Sequence, residues 1–285
     1  MKNIEFWKMN GSGNDFILID NRDGQVAEEE MGWWAERICR RRESVGADGL
    51  IFVVPSDRYD FAWRFFNQDG GEAEMCGNGG RCVARFAHSK GIAGPKMTFG
   101  TVAGPISAEV TGRMVKVGIP DPSGLTMDVK IAHQSGWKSV DFINTGVPHT
   151  IVHVEDVSSH PVFEQGRAIR YDPFFSPSGT NADFMQVLGP DLLAMRTYER
   201  GVEDETLACG TGAIASALVA SARNFVNSPV KVRTFGGEEL QIYFRKEQEL
   251  FTEVFLEGST TLVYKGELDE RQDLQDCQDI SCLSR

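Results

Sequence analysis

Basic residues are scarce in this chain. Its 285 residues include 29 Lys and Arg against 41 Asp and Glu, a formal net charge of −12. Phosphate contacts need clustered Lys and Arg, so no nucleic-acid partner is expected. The one basic run, Arg40-Arg41-Arg42, is short and reads as the solvated end of a helix. Long hydrophobic runs are also missing. No stretch approaches the ~20 apolar residues of a membrane span, so no membrane association is expected. The opening MKNIEFWKMNGSGNDF has no apolar core of a signal sequence. Cysteine is sparse as well. Six in a chain of this length are too few for a disulfide scaffold. The expectation is a cytoplasmic protein whose thiols are free for chemistry.

Two of those cysteines bracket a glycine-rich turn, EMCGNGGRC at 74–82. The gap between Cys76 and Cys82 fits no common zinc-ligand spacing, and no His or Cys cluster accompanies it. It is not a CxxC redox pair. GNGG lacks the Lys-Ser/Thr of a phosphate loop and does not match GxGxxG.

The stretch does have a counterpart. Residues 72–87, EAEMCGNGGRCVARFA, align with 205–220, ETLACGTGAIASALVA, at an offset of 209 − 76 = 133. The same offset pairs Gly13 with Gly146, Gly46 with Gly179, and WRFFNQDG (63–70) with RTYERGVE (196–203). It also pairs Thr101 with Thr234 and Gly104 with Gly237. This period is far above that of solenoid repeats and indicates a duplicated domain. The length has room for roughly two domains of about 150 residues.

Short β-type runs occur at Phe16–Asp20, Leu50–Val54, Asp60–Phe66 and Met114–Ile119. A helix is expected after each Cys-Gly-x-Gly and another over about Glu28–Arg41. The expected fold is mixed α/β: two pseudo-symmetric domains, each a curled mixed sheet around a central helix, with the active site in the cleft between them. The expected division is 1–121, 122–256 and an acidic tail, 267–285, with strand 257–266 returning to the first domain. The tail's Cys277 and Cys282 read as incidental surface thiols.

Duplicated domains usually face each other across an approximate two-fold axis. Cys76 and Cys209, each just before a helix start, would then sit on opposite walls. A helix N-terminus favours thiolate and binds carboxylate through free amides. Those amides are Gly77 and Asn78 on one side, and Gly210 and Thr211 on the other. One thiolate can remove an α-proton while the opposite thiol delivers a proton to the other face. No cofactor or metal is needed for this, and no local signature of a pyridoxal-phosphate lysine or a nicotinamide fold is present. Cys39 and Cys82 read instead as small buried hydrophobes.

The motifs GSGNDF, NQDGGEAEMCGNGGRC, GVPH, GTNADF and ERGVEDETLACGTGA together resemble the diaminopimelate epimerase family, over about residues 1–265. The resemblance implies a cofactor-independent epimerase of lysine biosynthesis that interconverts LL- and meso-2,6-diaminopimelate. It places the catalytic pair on Cys76 and Cys209. It places substrate contacts on Asn14, Asn67, Asn181, Glu199 and Arg200, with the carboxylate cradle on Gly77, Asn78, Gly210 and Thr211. It gives His149 and Glu199 a part in setting the cysteine pKa values; a satisfied histidine beside a proline turn is the other reading of His149. It implies a homodimer with Tyr264 at the interface, where a plain strand aromatic is the alternative. Two positions depart from some members, with Gly49 and Val147 where those carry Gln and Asn. A racemase of another amino acid, of the proline or histidine type, is a competing reading. The Glu199–Arg200 pair favours a substrate with a second amino-acid end. A redox or metal module built on Cys76 and Cys82 is a third.

Overall fold

The computed structural model describes residues 3–132 and 139–268. Its first half runs β1 (Ile4–Gly11), β2 (Asn14–Asp20), α1 (Met31–Ile38), β3 (Gly49–Val54), β4 (Phe61–Asn67), α2 (Gly77–Ser89), β5 (Lys96–Thr101), β6 (Gly104–Thr111) and β7 (Met114–Gly118). After β8 (Ser123–Val129) come β9 (Val140–Asn144), β10 (Pro148–His153), α3 (Val162–Arg170), β11 (Asn181–Gly189) and β12 (Leu192–Glu199). The described residues end with β13 (Asp204–Thr206), α4 (Gly210–Ala222), β14 (Val230–Arg233), β15 (Glu239–Glu247), β16 (Leu250–Ser259) and β17 (Thr261–Leu268).

Both halves pair their strands in the same order. In the first, β1–β2, β3–β4, β5–β6 and β6–β7 are antiparallel, and β2–β3 and β4–β5 are parallel. In the second, β9–β10, β11–β12, β14–β15 and β15–β16 are antiparallel, and β10–β11 and β12–β14 are parallel. A parallel pair needs a crossover connection, and α1, α2, α3 and α4 supply the four. The sequence repeat is therefore a repeat of topology. Its glycine anchors share backbone geometry too: φ is +90° at Gly13 and +102° at Gly146, where a Cβ would be strained.

The halves are sewn together by the antiparallel pair β7–β16. Each then yields its next strand to the other, β8 to β9 and β17 to β1. The last strand thus lies beside β1, and it begins later than residue 257. Residues 257–259 still belong to β16 opposite β7, and the chain breaks register at the buried Thr260, whose hydroxyl bonds the Arg113 carbonyl at 3.2 Å. Glu267 and Leu268, read as tail, are the end of β17. The rest of the expected tail, with Cys277 and Cys282, lies outside the described residues.

A helix that is apolar or small on every face belongs in the interior. In α4 every residue from Gly212 to Ser221 is buried, and in α2 every residue from Gly77 to Ala84. Helix α2 packs against β1, β2, β3, β6 and β7, while α4 packs against β9, β10, β11, β12, β14 and β15. Both contribute to one shared core, through Cys82, Val83 and Phe86 on one side and Ile214, Leu218 and Val219 on the other. Helices α1 and α3 cover separate outer cores built on Trp34, Ile38 and Phe52, and on Val162, Ile169 and Phe184.

The helix expected over Glu28–Arg41 is shorter. A 3-10 turn, Glu28–Glu30, leads into α1, which stops at Ile38. Arg41 is drawn away from the helix by Asp15, at 2.6 Å, and Asp48, at 2.8 Å, and Arg42 turns the chain with φ +74°. The basic run is therefore more than a solvated helix end, because one of its members ties the start of β2 to the residue before β3.

Candidate active site

Cys76 and Cys209 are the N-caps of α2 and α4. Both have extended backbone, and both sulfurs accept the third amide of their helix, Gly79 N and Gly212 N, at 3.4 Å. The first intrahelical bonds are Gly80 N to Cys76 O and Ala213 N to Cys209 O. With the third amide on sulfur, the amides of Gly77 and Gly210 are left at the two helix ends, where an anion is favoured.

The two helix ends meet. A Cβ built on Gly77 would lie 3.0 Å from Leu256 Cδ2, and one on Gly210 would lie 3.2 Å from the same atom and 3.3 Å from Asn78 Oδ1. Two residues before Cys209, Leu207 approaches the β1–β2 loop, with its Cβ 3.2 Å from the Cβ position of Gly13. The two cysteine-capped helix starts, one from each half, thus lie against the same leucine methyl. Cys82 is elsewhere, buried within α2 among core side chains. Burial pushes its thiol, and that of Cys39, up to about 12. Among the described residues no cluster of three or more His, Cys, Asp or Glu side chains could hold a metal ion.

Polar side chains from both halves surround the cysteines. Burial raises the Cys76 thiol, the amides of Gly79 and Asn78 and the Arg81 cation draw it down, and Glu199 raises it. Burial raises Cys209 well above the ordinary thiol value, followed by the negative charges of Glu199 and Asp183; Thr211 Oγ1, at 3.4 Å, opposes them. Glu199 is itself raised by burial, and the neighbouring Thr206 hydroxyl and then His149 oppose the rise. One carboxyl group therefore bears on both sulfurs.

His149 is fully buried, with Nδ1 2.6 Å from Asp183 Oδ2 and Nε2 without a hydrogen-bond partner among the described residues. Thr197 Oγ1 donates to the other Asp183 oxygen at 2.6 Å, and a Cβ on Gly212 would lie only 2.4 Å from that oxygen. This places the His149–Asp183 pair against the start of α4. Asn181 donates to Pro148 O at 3.0 Å and accepts from Arg200 N at 2.7 Å, so it fastens the ends of β10, β11 and β12 together. The Arg200 guanidinium bonds Ser178 O at 3.2 Å. Asn14 donates to Asp48 at 3.0 Å and accepts from Asn78 at 2.7 Å. Asn67 lies at the exposed end of β4, opposite Gly49. Gly49 has no room for a side chain, because a Cβ would stand 2.6 Å from Phe65 and 2.7 Å from Phe66 O. Val147 is half-buried, and its carbonyl accepts from Thr145 N at 3.1 Å. Tyr264 is apart from the cleft, 43% exposed on β17, with its ring edge-on to Phe6.

Sequence reading did not single out Arg81, Asp183, Asp48 or Leu256. A signal existed for the first two. At offset 133, buried Arg81 stands opposite Ile214 (214 − 81 = 133) and buried Asp183 opposite Leu50 (183 − 50 = 133). A polar residue whose duplicate is apolar marks work that only one half performs.

The architecture defines the class: a two-domain, internally duplicated fold of the kind found in racemases and epimerases. It matches the crystal structure of the Bacillus anthracis phenazine biosynthesis protein of the PhzF family, with TM-score 0.73, 18% identity, 94% of this chain and 100% of that one covered. It also matches a hydroxyproline epimerase from Agrobacterium vitis, with TM-score 0.70, 15% identity and 95% and 94% covered. The chain belongs to the diaminopimelate epimerase family, whose profile matches residues 6–121 and 142–263. It is 48% identical over 279 residues to the diaminopimelate epimerase of Aquifex aeolicus, covering 94% of this chain and 98% of that protein. Identity to that of Methanocella arvoryzae is 39% over 284 residues, with 94% and 98% covered. The chain is accordingly an isomerase of the epimerase type.

Proposed function

We propose that the chain interconverts LL- and meso-2,6-diaminopimelate with Cys76 and Cys209 as alternating base and acid. The observation that carries this reading is the arrangement of the helix ends. Two cysteine-capped N-termini from the duplicated halves converge on Leu256 Cδ2. A substrate carboxylate seated at Gly77, Asn78, Gly210 and Thr211 would place the α-carbon between the sulfurs. One thiolate takes the α-proton, the carboxylate spreads the resulting charge under the helix amides, and the other thiol returns a proton to the opposite face. Asn14, Asn67 and Asn181 would hold the rest of the substrate, with Glu199 and Arg200 at its distal amino-acid end. His149 and Glu199 would adjust the two thiols. Diaminopimelate thus serves as the small-molecule partner, at an end of lysine biosynthesis.

The same proposal divides the chain into residues 1–121 with the returning strand, and residues 122–256. It makes the protein a cytoplasmic homodimer. Strand β17 carries Tyr264 and pairs with β1 alone among the described strands, so its other edge is available to a second copy. No helix among the described residues is long and apolar enough to cross a membrane.

A substrate panel tests the assignment. With LL-diaminopimelate, proline, hydroxyproline and histidine each supplied under reducing conditions, diaminopimelate is the one turned over. Faster turnover of a short amino acid would move the chain to another substrate.

A further inference from the structure

Arg81 is a costly residue to place where it is. It is 0% exposed in α2, and its Nε and Nη1 have no hydrogen-bond partner among the described residues. No carboxylate forms an ion pair with it among the described residues, and a buried cation without one is unfavourable. The fold nevertheless makes room for it. A Cβ at Gly258 would come 3.2 Å from Nε, so a side chain there would crowd the guanidinium. The duplicate helix is built with Ile214 at this position, so a buried charge is not a requirement of the architecture.

The partners of the guanidinium give it a use. Nη2 donates to Asn78 Oδ1 at 2.8 Å and also to Ser12 Oγ. Asn78 Nδ2 donates to Asn14 Oδ1 at 2.7 Å, and Asn14 Nδ2 donates to Asp48 Oδ2 at 3.0 Å. Asp48 is held in turn by Arg41 at 2.8 Å. A guanidinium can only donate, and an ionised carboxylate can only accept. The two amides between these poles therefore have a single compatible orientation, since flipping either one sets donor against donor and acceptor against acceptor. Each retains one N–H with no protein acceptor among the described residues, and Asn78 reaches the opposite helix end at Gly210.

We infer that Arg81 is a positioning residue: acting through Asn78, it locks the Asn78 and Asn14 amides so that each keeps a spare N–H for an anionic substrate group. This rests on the epimerase reading for its substrate, while the locked orientation itself does not. The Arg81 cation also draws the neighbouring Cys76 thiol down against burial, which serves the same wall of the cleft.

The experiment uses the full-length protein, with Arg81→Lys, Arg81→Met, Asn78→Ala and the Arg81→Met/Asn78→Ala double variant. Side-chain amide resonances of Asn14 and Asn78 are followed without substrate, and KM and kcat with diaminopimelate. Wild type is expected to show both amides protected from solvent exchange. Arg81→Met loses the protection at both and raises KM about tenfold or more, the scale of a charged hydrogen bond. Arg81→Lys, which keeps a donor, restores both in large part. In the Asn78→Ala background, Arg81→Met adds less than twofold to KM. Protection unchanged in Arg81→Met, or fully additive effects, overturns the inference. If Arg81→Met fails to fold, Asn78→Ala decides: loss of protection at the Asn14 amide with a raised KM supports the inference, and an Asn14 amide protected as in wild type overturns it. Protected amides in a wild-type protein that leaves diaminopimelate untouched would overturn the substrate assignment and keep the locked orientation.

Discussion

Gly77 and Gly210, 133 positions apart (210 − 77 = 133), press on the same methyl group, Leu256 Cδ2, at 3.0 and 3.2 Å from their Cβ positions. Neither has positive φ, so the constraint is one of space. Leu256 is fully buried on β16, the strand that joins the halves. We expect it to act as a spacer between the two helix ends, with no room for a methyl group on either glycine. Gly210→Ala should therefore lower activity at least tenfold for a stability loss of about 1–3 kcal/mol. Chemical denaturation and steady-state rates measured together check it. Loss of stability with wild-type activity would remove the spacer role.

The pH profile should respond to Glu199 in one direction. Its negative charge raises both the Cys76 and the Cys209 thiol. A raised thiol yields its thiolate only at higher pH, so removing that charge moves ionisation downward. Glu199→Gln is expected to shift the rising limb of kcat/KM to lower pH, even as the rate falls through the lost substrate contact. An upward shift would contradict the electrostatic placement of Glu199.

His149 and Asp183 form a buried pair at 2.6 Å against the start of α4. Asp183→Asn removes the charge and keeps the shape. We expect kcat/KM to fall about a hundredfold, with Thr197 still able to bond the remaining oxygen. Full activity in Asp183→Asn would make the pair purely a packing element.

The four described thiols should separate chemically. Cys39 and Cys82 are fully buried and pushed to about 12. Native protein treated with iodoacetamide at neutral pH should leave both unlabelled by peptide mass spectrometry. Cys82→Ala should keep α-hydrogen exchange, at a stability cost of about 1 kcal/mol. Loss of exchange in folded Cys82→Ala would revive a role for the Cys76–Cys82 pair.

Much of this was legible in the chain. The offset of 133 exposed the duplication because backbone-dictated glycines such as Gly13 and Gly146 persist in both copies. The cysteines stood out because a helix cap is a local feature. The remainder depended on tertiary placement. Helix α3 is the topological counterpart of α1, yet its sequence, VFEQGRAIR, is too short and polar to announce itself. The exchange of β8 for β17 could be glimpsed only at its second end, where strand 257–266 is expected to return to the first domain. Arg81 and Asp183 looked like ordinary polar residues in a helix and a strand. Only burial shows that they act inside the protein, although the apolar Ile214 and Leu50 at the duplicate positions had already set them apart.

The most direct measurement is solvent deuterium at the α-carbon of LL-diaminopimelate, for wild type, Cys76→Ser and Cys209→Ser under reducing conditions. The two-cysteine account predicts deuterium in the meso product with wild type, and epimerisation lost in each serine variant. Inversion that survives in either folded variant, or product formed without deuterium, would contradict it.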